Sequence, residues 1–462
     1  MLKRGLQLLA ALTLALATMG SGSAAAAGPV STTGSIDGAA FKIDIPANWN
    51  GTLLLYSHGY VVPCNPADAT CNPPRDVGDQ LTGQYLLDHG YALAGSAYKT
   101  SGWAVQDALH DQIALLNYFN DTYGKPERTI AWGHSLGGMI TAGLVQRNPK
   151  RFAGALPMCG VLAGAVGVWN SALDAEFAFK TLLAPSSTLQ LVNITDPQGN
   201  LVQAETILAI AQASPVGRAR LALVAAIGDV PGWFQTGTPE PAPTDYTSRE
   251  ANQFAWDKFV DFPFLFDLRA EMEMRAGGNP SWNTAVDYRQ LLDQSINKDE
   301  VQALYAAVPG LSLDQDLATL AATPRIAADR PAVGYLTRNI VYNGDFEIPE
   351  LTLHTTGDGL VLNQDEQAYA SITENPELLR ETFVHRAGHC AFTPAETVAA
   401  LNALVHRIDT HQWSGLSPAA LNDAATALGP TLNTFPAAYL EFTPSRFPRP
   451  FSLKDRDHNR ND

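Results

Sequence analysis

Residues 133–138 read Gly-His-Ser-Leu-Gly-Gly, so that Ser135 stands between two glycines, Gly133 and Gly137. A serine hydroxyl is a weak nucleophile at neutral pH. It becomes an effective one only with a base to take its proton, a group to orient that base, and donors for the oxyanion that forms. Ser135 follows the apolar run "RTIAWG" and precedes "GGMITAGLV", which has helical character. A strand, a sharp turn and a helix in that order is the setting in which Gly-x-Ser-x-Gly presents a nucleophile. The glycines are needed there because flanking side chains would collide, and the helix N-terminus turns its dipole toward the developing negative charge. The spacing alone also fits a small-residue turn that lets a helix pack closely, so the partners decide.

An orienting acid is expected at the end of a later strand, where Asp358 lies in "LTLHTTGDG". Asp365 and Glu366 are alternatives on the following helix and are expected to be solvated; Asp174, after the strand at 152–158, is another. The base is expected one strand further on, and His389 in "RAGHCAF" fits. His385 lies within that strand, and His406 and His411 fall on or near the last helix. His58, His134 and His354 are expected to be structural. Backbone amides serve as oxyanion donors whatever their side chains. The expected pair is Leu136 N–H, next to the serine, and Tyr60 N–H, in the "SHGY" loop after "TLLLYS".

These positions require a scaffold that delivers loops to one edge. From about residue 41 to 160 continuous apolar runs such as "TLLLYS" and "GYALAGSAY" alternate with helical stretches, and the rhythm returns after residue 339. Such alternation predicts an α/β fold, a mostly parallel sheet flanked by helices. The order Ser, Asp, His, each after a strand, is that of the α/β-hydrolase fold. "GHSLGG" resembles the lipase-type nucleophile elbow and "SHGY" the His-Gly oxyanion loop of the secreted lipase and esterase branch of that superfamily. The resemblance covers about 41–160 and 339–411. It implies that an insertion after the sixth strand forms a lid. Residues 161–338, mostly helical in pattern and rich in aromatics at "WDKFVDFPFLF", occupy that place. The expected organisation is a leader over 1–27, a core from 28–160 and 339–445, the helical lid at 161–338, and a flexible tail at 446–462.

The leader has Lys3 and Arg4, an apolar run from Leu6 to Met19, and small residues up to Ala27. That is the layout of a secretory signal peptide, too short for a membrane span, and it predicts an extracellular protein without a stable membrane anchor. The net charge of −16, with 46 acidic against 30 basic residues, argues against nucleic acid and against an anionic membrane surface. Four cysteines in an exported chain suggest two disulfides. Cys64 and Cys71 flank a short turn-rich loop, which leaves Cys159 for Cys390, beside His389. No Cys/His set has zinc spacing and no glycine-rich phosphate loop follows the first strand, so neither a metal nor an organic cofactor is expected.

The leading expectation is a secreted serine hydrolase acting on small or polymeric carboxylic esters through an acyl-enzyme. Trp233, Trp256 and Trp282 in the insertion would suggest an apolar or aromatic substrate group, unless they form the insertion's own core. A serine exopeptidase of the same fold is the alternative; it would need lid acids such as Glu271 and Glu273 to hold an amine, and these could equally be solvated. A non-catalytic binding protein on the same scaffold would be indicated by a missing triad member, and all three are present.

Overall fold

A computed structural model describes residues 28–65 and 70–453; the expected leader, the centre of the 64–71 loop and the end of the tail lie outside the described residues. The strands are β1 (Val30–Ile36), β2 (Ala39–Ile45), β3 (Thr52–Ser57), β4 (Ala92–Ser96), β5 (Arg128–His134), β6 (Gly154–Met158), β7 (Glu350–Gly357), β8 (Leu379–Ala387) and β9 (Tyr439–Leu440). They form one sheet in the order β1-β2-β4-β3-β5-β6-β7-β8-β9. The run from β4 through β8 is parallel, and β1, β2 and β9 pair antiparallel at the edges. The continuous apolar runs of β3, β4 and β6 are buried along their whole length, as a sheet covered on both faces requires. β2 alternates buried and half-buried positions instead. β1 is exposed along most of its length, and its polar sequence "VSTTGSI" gives no apolar signal for a strand.

Between β3 and β6 run helices α1 (Gln80–Asp88), α2 (Val105–Tyr123) and α3 (Leu136–Arg147). Between β6 and β7 lie α4 (Gly164–Leu183), α5 (Pro197–Gln212), α6 (Pro215–Gly228), α7 (Tyr246–Trp256), α8 (Arg269–Ala276), α9 (Tyr288–Gln294), α10 (Lys298–Ala306), α11 (Leu313–Ala322) and α12 (Arg330–Arg338). Two π-helical turns, Asp257–Asp261 and Phe264–Leu268, join α7 to α8. Then follow α13 (Gln364–Ile372), α14 (Pro394–Thr410) and α15 (Pro418–Ala427).

The sheet separates two apolar cores. One face packs Leu115, Phe119, Met139 and Ile140 of α2 and α3; the other packs Leu86 of α1 and Leu401 and Leu404 of α14. The helices between β6 and β7 have a core of their own, with Phe177, Phe179, Leu208, Leu223, Phe262 and Phe266 at its centre. A segment that buries its own apolar surface can stand over the sheet without being threaded into it.

One finding settles an alternative that the sequence left open, and a second departs from the sequence reading. The aromatics of the insertion are mostly packed inside: Phe262 and Phe266 sit in that region's core, Trp256 is buried against Phe234, and Trp282 packs on Phe451 against the core beneath the sheet. The tail, expected to be flexible from residue 446, is packed at least to Leu453. Phe447 is buried, its N–H donates to Gln367, and Arg449 pairs with the buried Asp174. An unpaired carboxylate inside α4 would be costly, and Arg449 compensates it.

Cys64 pairs with Cys71 and Cys159 with Cys390, with Cα–Cα separations of 5.9 and 5.4 Å. The second bridge closes 231 residues and in the chain-entropy model stabilises by roughly 5 kcal/mol. Replacing Cys159 and Cys390 together by alanine is therefore expected to lower the melting temperature by several degrees or more, whereas the Cys64/Cys71 pair, closing a short loop, is expected to matter less; differential scanning calorimetry of the two double variants checks the order.

Candidate active site

The parallel strands end in register. Ser57 of β3 lies beside Gly133 of β5, His134 beside Met158 of β6, and Gly357 of β7 beside Ala387 of β8. The loops that leave these ends therefore converge on one edge, which is where open α/β sheets carry their sites. Ser135, Asp358 and His389 lie in three of them.

Ser135 has φ of 59° and ψ of −127°, a strained conformation for a residue with a side chain. It sits at the N-terminus of α3, with its N–H donating to Met158 O at 2.9 Å. The turn is held by close backbone approach: a Cβ at Gly137 would run into the Ser57 carbonyl, and one at Gly133 into the carbonyls of both Ser57 and Gly137. Only glycine fits at either position. On the other side, the His58–Tyr60 loop comes close enough that a Cβ at Gly59 would lie 3.2 Å from Ser135 Cβ. Leu136, as the first residue of α3, has an N–H with no carbonyl one turn earlier in the helix. Both expected oxyanion donors, Tyr60 and Leu136, thus belong to segments that meet at Ser135.

Asp358 is completely buried. Its Oδ1 accepts the N–H groups of Leu360 and Val361, both at 3.1 Å, and its Oδ2 accepts His389 Nδ1 at 2.7 Å. Burial alone would raise its pKa. The charge of His389 and the hydrogen bonds from His354 and His389 outweigh burial and hold the carboxyl below its ordinary range. Because a carboxylate only accepts, the contact requires a proton on His389 Nδ1, so Nε2 is the ring nitrogen available for proton exchange. That ring is one-fifth exposed, and Nε2 lies 3.4 Å from Cys390 Sγ. Among the described residues no hydrogen bond joins Nε2 to Ser135 Oγ. The link runs through the backbone and the disulfide, from Ser135 N–H to Met158 O, and then from Cys159 to Cys390 beside His389.

Sequence reasoning missed the support behind Asp358. His354, on β7, is wholly buried, with Nδ1 2.9 Å from Glu366 Oε1 and Nε2 2.9 Å from Val361 O and 3.5 Å from Asp358 Oδ2. Burial would lower its pKa, but the two carboxylates prevail and push it up to about 10, so His354 is a buried cation between two acids. Glu366 and Asp365 were expected in solvent and are instead buried; Asp365 Oδ1 accepts Ala163 N–H at 2.9 Å. They face the sheet because α13 turns that side inward, a choice that the polar composition of "NQDEQ" does not reveal. Glu271 and Glu273 are likewise engaged. Glu271 accepts Trp103 N–H and pairs with Arg275, and Glu273 pairs with the buried Arg269. Asp174 is occupied by Tyr288 and Arg449. His58 stacks on Tyr98 and contacts Gly59 O, and burial lowers its pKa to about 4. His134 contacts Tyr56, while His385, His406 and His411 are exposed.

Above Ser135 opens a cavity of about 150 Å³, lined by Tyr60, Trp103, Leu136, Trp169, Phe264 and Leu360 among others. A space of this size takes up about one benzene ring. Its roof comes from α4, α6 and the π-helical turns, and of the insertion's aromatic run only Phe264 reaches it.

The sheet and the loops converging on its edge are those of the α/β-hydrolase superfamily. The model of the prolyl oligopeptidase family matches residues 89–171. Over 430 residues the chain is 30% identical to an o-phthalyl amidase of Xanthobacter agilis, covering 85% of this chain and 90% of that one. It belongs to the same α/β-hydrolase family as that amidase. Solved structures similar to it include an esterase from Aspergillus oryzae, at 13% identity with a TM-score of 0.43 over 83% of this chain and 80% of that one. Another is feruloyl esterase B from the same organism, at 14% identity with a TM-score of 0.38 over 84% and 82%.

The His354–Glu366 pair gives a prediction. Removing one partner of a buried pair destabilises by roughly 3–5 kcal/mol, so Glu366→Ala is expected to lower denaturant stability by about that much. The sign with pH follows from the raised pKa. The stability contributed by His354 is fully present below the unfolded value of about 6.5 and is lost as pH rises through about 10. Urea midpoints of wild type and variant measured from pH 6 to 10.5 should converge at the alkaline end.

Proposed function

We propose that the protein is an exported hydrolase that cleaves carboxylic esters by way of an acyl-enzyme. Ser135 attacks the acyl carbon, and His389 Nε2 takes its proton and later returns it to the leaving group. Asp358 holds the imidazole with its proton on Nδ1 and stabilises the imidazolium. The N–H groups of Tyr60 and Leu136 receive the oxyanion, which forms where the α3 dipole is favourable. Water entering after the first product leaves then attacks the acyl-enzyme by the same proton route. The helices of 161–338 act as the lid, leaving a substrate group the space of about one ring.

The observation that carries this reading is the 2.7 Å contact between His389 Nδ1 and a buried Asp358, beside a serine in a strained turn at the floor of an apolar cavity. Export is supported by the leader sequence and by two disulfides, and no helix among the described residues is long and apolar enough to cross a membrane. A second reading, cleavage of amides, is favoured by the 30% identity to an o-phthalyl amidase. The same machinery serves both, since His389 can protonate an amine as it can an alkoxide.

Ser135→Ala and His389→Ala are expected to abolish hydrolysis of p-nitrophenyl esters, and Ser135→Ala to abolish covalent labelling by a fluorophosphonate. Asp358→Asn is expected to lower kcat by roughly 10⁴-fold, because the amide can stabilise the wrong tautomer of His389. Labelling that survives Ser135→Ala overturns the assignment. A panel of short and long acyl esters, aryl esters, phthalyl amides and aminoacyl arylamides separates the ester and amide readings from an exopeptidase.

A further inference from the structure

The roof of the cavity contains two acids that the mechanism above does not use. Asp257 and Asp261 lie on the first π-helical turn, and both line the cavity that holds Ser135. Asp257 is 4% exposed and Asp261 8%. Neither carboxyl has a hydrogen-bond partner among the described residues, and Oδ2 of each is fully buried without one. This is unusual, because a buried carboxyl left unsatisfied costs several kcal/mol and interiors avoid it. Several other buried acids of this protein do have a charged or hydrogen-bonding partner: Asp174 has Arg449 and Tyr288, Glu273 has Arg269, and Glu366 has His354. π-helical turns are themselves rare and concentrate at functional sites. Here the turn places residues four apart over one another and points both toward the same space.

The surroundings define what would satisfy the pair. Burial is the main influence on both groups and keeps them protonated well above the ordinary carboxylate range, with Asp257 pushed up to about 8. Negative neighbours add to it: Glu250 acts on Asp257, and Asp257 and Asp358 act on Asp261. No Lys, Arg or His is among the residues lining the cavity. A substrate carboxylate would add another negative group with no cation to meet it. A purely apolar group would leave both acids unsatisfied. A divalent cation takes six or more oxygen ligands; the third lining carboxyl, Asp365, already accepts Ala163 N–H, and the remaining walls are mainly aliphatic and aromatic. A protonated amine supplies what is missing, namely positive charge and several N–H donors on a compact group.

We propose that Asp257 and Asp261 form a subsite for a positively charged amine, so that the preferred substrates are esters or amides that carry an ammonium group within one ring's length of the scissile carbonyl. One carboxyl gives up its proton to solvent as the ammonium enters and becomes its counter-ion, and the other accepts a further N–H. The apolar walls, Trp169 and Phe264 among them, hold the carbon skeleton between this pair and Ser135. For its catalytic consequence the proposal rests on the reading of Ser135 as the nucleophile.

The test compares p-nitrophenyl 4-(aminomethyl)benzoate with p-nitrophenyl 4-ethylbenzoate, nearly the same in shape and different in charge. The ratio of their kcat/KM values is expected to favour the cationic ester in the wild-type protein and to fall at least tenfold in the Asp257→Asn/Asp261→Asn variant. An unchanged ratio overturns the proposal. The single variants Asp257→Asn and Asp261→Asn repeat the comparison should the double variant not fold. The amide is isosteric and removes a buried titratable group, so melting temperatures at or above wild type are expected; a large drop would point to a structural role. Calorimetry on Ser135→Ala protein, where no turnover intrudes, is expected to show benzylammonium binding at least tenfold more tightly than benzyl alcohol, with the difference lost in the Asn variants. Benzoate binding more tightly than benzylammonium overturns the proposal. Failure of wild-type Ser135 to react with a fluorophosphonate would instead remove the hydrolase reading and leave the calorimetric comparison valid.

Discussion

A carboxylate with no access to water has to be compensated entirely by the protein, and Asp358 imposes that demand on everything around it. Its two oxygens receive two backbone N–H groups from the turn that follows it and the Nδ1 of His389, with His354 close behind. The turn fixes where the carboxylate points, and the carboxylate fixes the tautomer and orientation of His389. His354, positive in this setting, is balanced on its far side by Glu366. The charge pattern acid, histidine, acid, histidine is therefore continuous from α13 to the loop after β8. It has one exposed end, and that is His389.

The same edge of the sheet is governed by packing on the serine side. Ser135 can adopt its strained backbone because α3 lies directly against β3, with no room for a side chain at Gly133 or Gly137. The strain is maintained by a helix that is buried from Leu136 to Val145 and whose apolar residues continue the core. The Cys159–Cys390 bridge then ties the strand beside the serine to the loop of the histidine. These two devices, one steric and one covalent, act where a small relative displacement would separate nucleophile from base.

The reading of the sequence was most complete where local pattern and tertiary role coincide. The buried strands β3 to β6 are continuous apolar runs, and the glycines around Ser135 declare a turn. Asp358 and His389 could be selected because each follows a strand in the order expected of the fold, and the structure joins them by a hydrogen bond. The reading was poorer where a residue's environment is made by a distant segment. Asp365 and Glu366 look like solvent-facing helix residues and are buried because α13 packs on β7 beside His354. For Trp233, Trp256 and Trp282 the sequence left lining and packing open; none of them lines the cavity, and they pack on His385, Phe234 and Phe451, partners that lie elsewhere in the sequence. β1 carries too little apolar content to declare itself, and it is a strand because β2 offers an edge.

What the sequence determined by itself is the chemistry available: a serine in a turn that only glycine permits, an acid and a histidine at later strand ends, and cysteines in even number. These are matters of residue type and spacing, and local sterics suffice to interpret them. What only the tertiary structure decided is the field around that chemistry. Whether a carboxyl is solvated, paired or stranded depends on which helices cover it, and that arrangement is set by contacts hundreds of residues apart. Asp174 meets its arginine near the end of the described chain. Asp257 and Asp261, indistinguishable in sequence from surface acids, meet no partner at all among the described residues and face the cavity above Ser135.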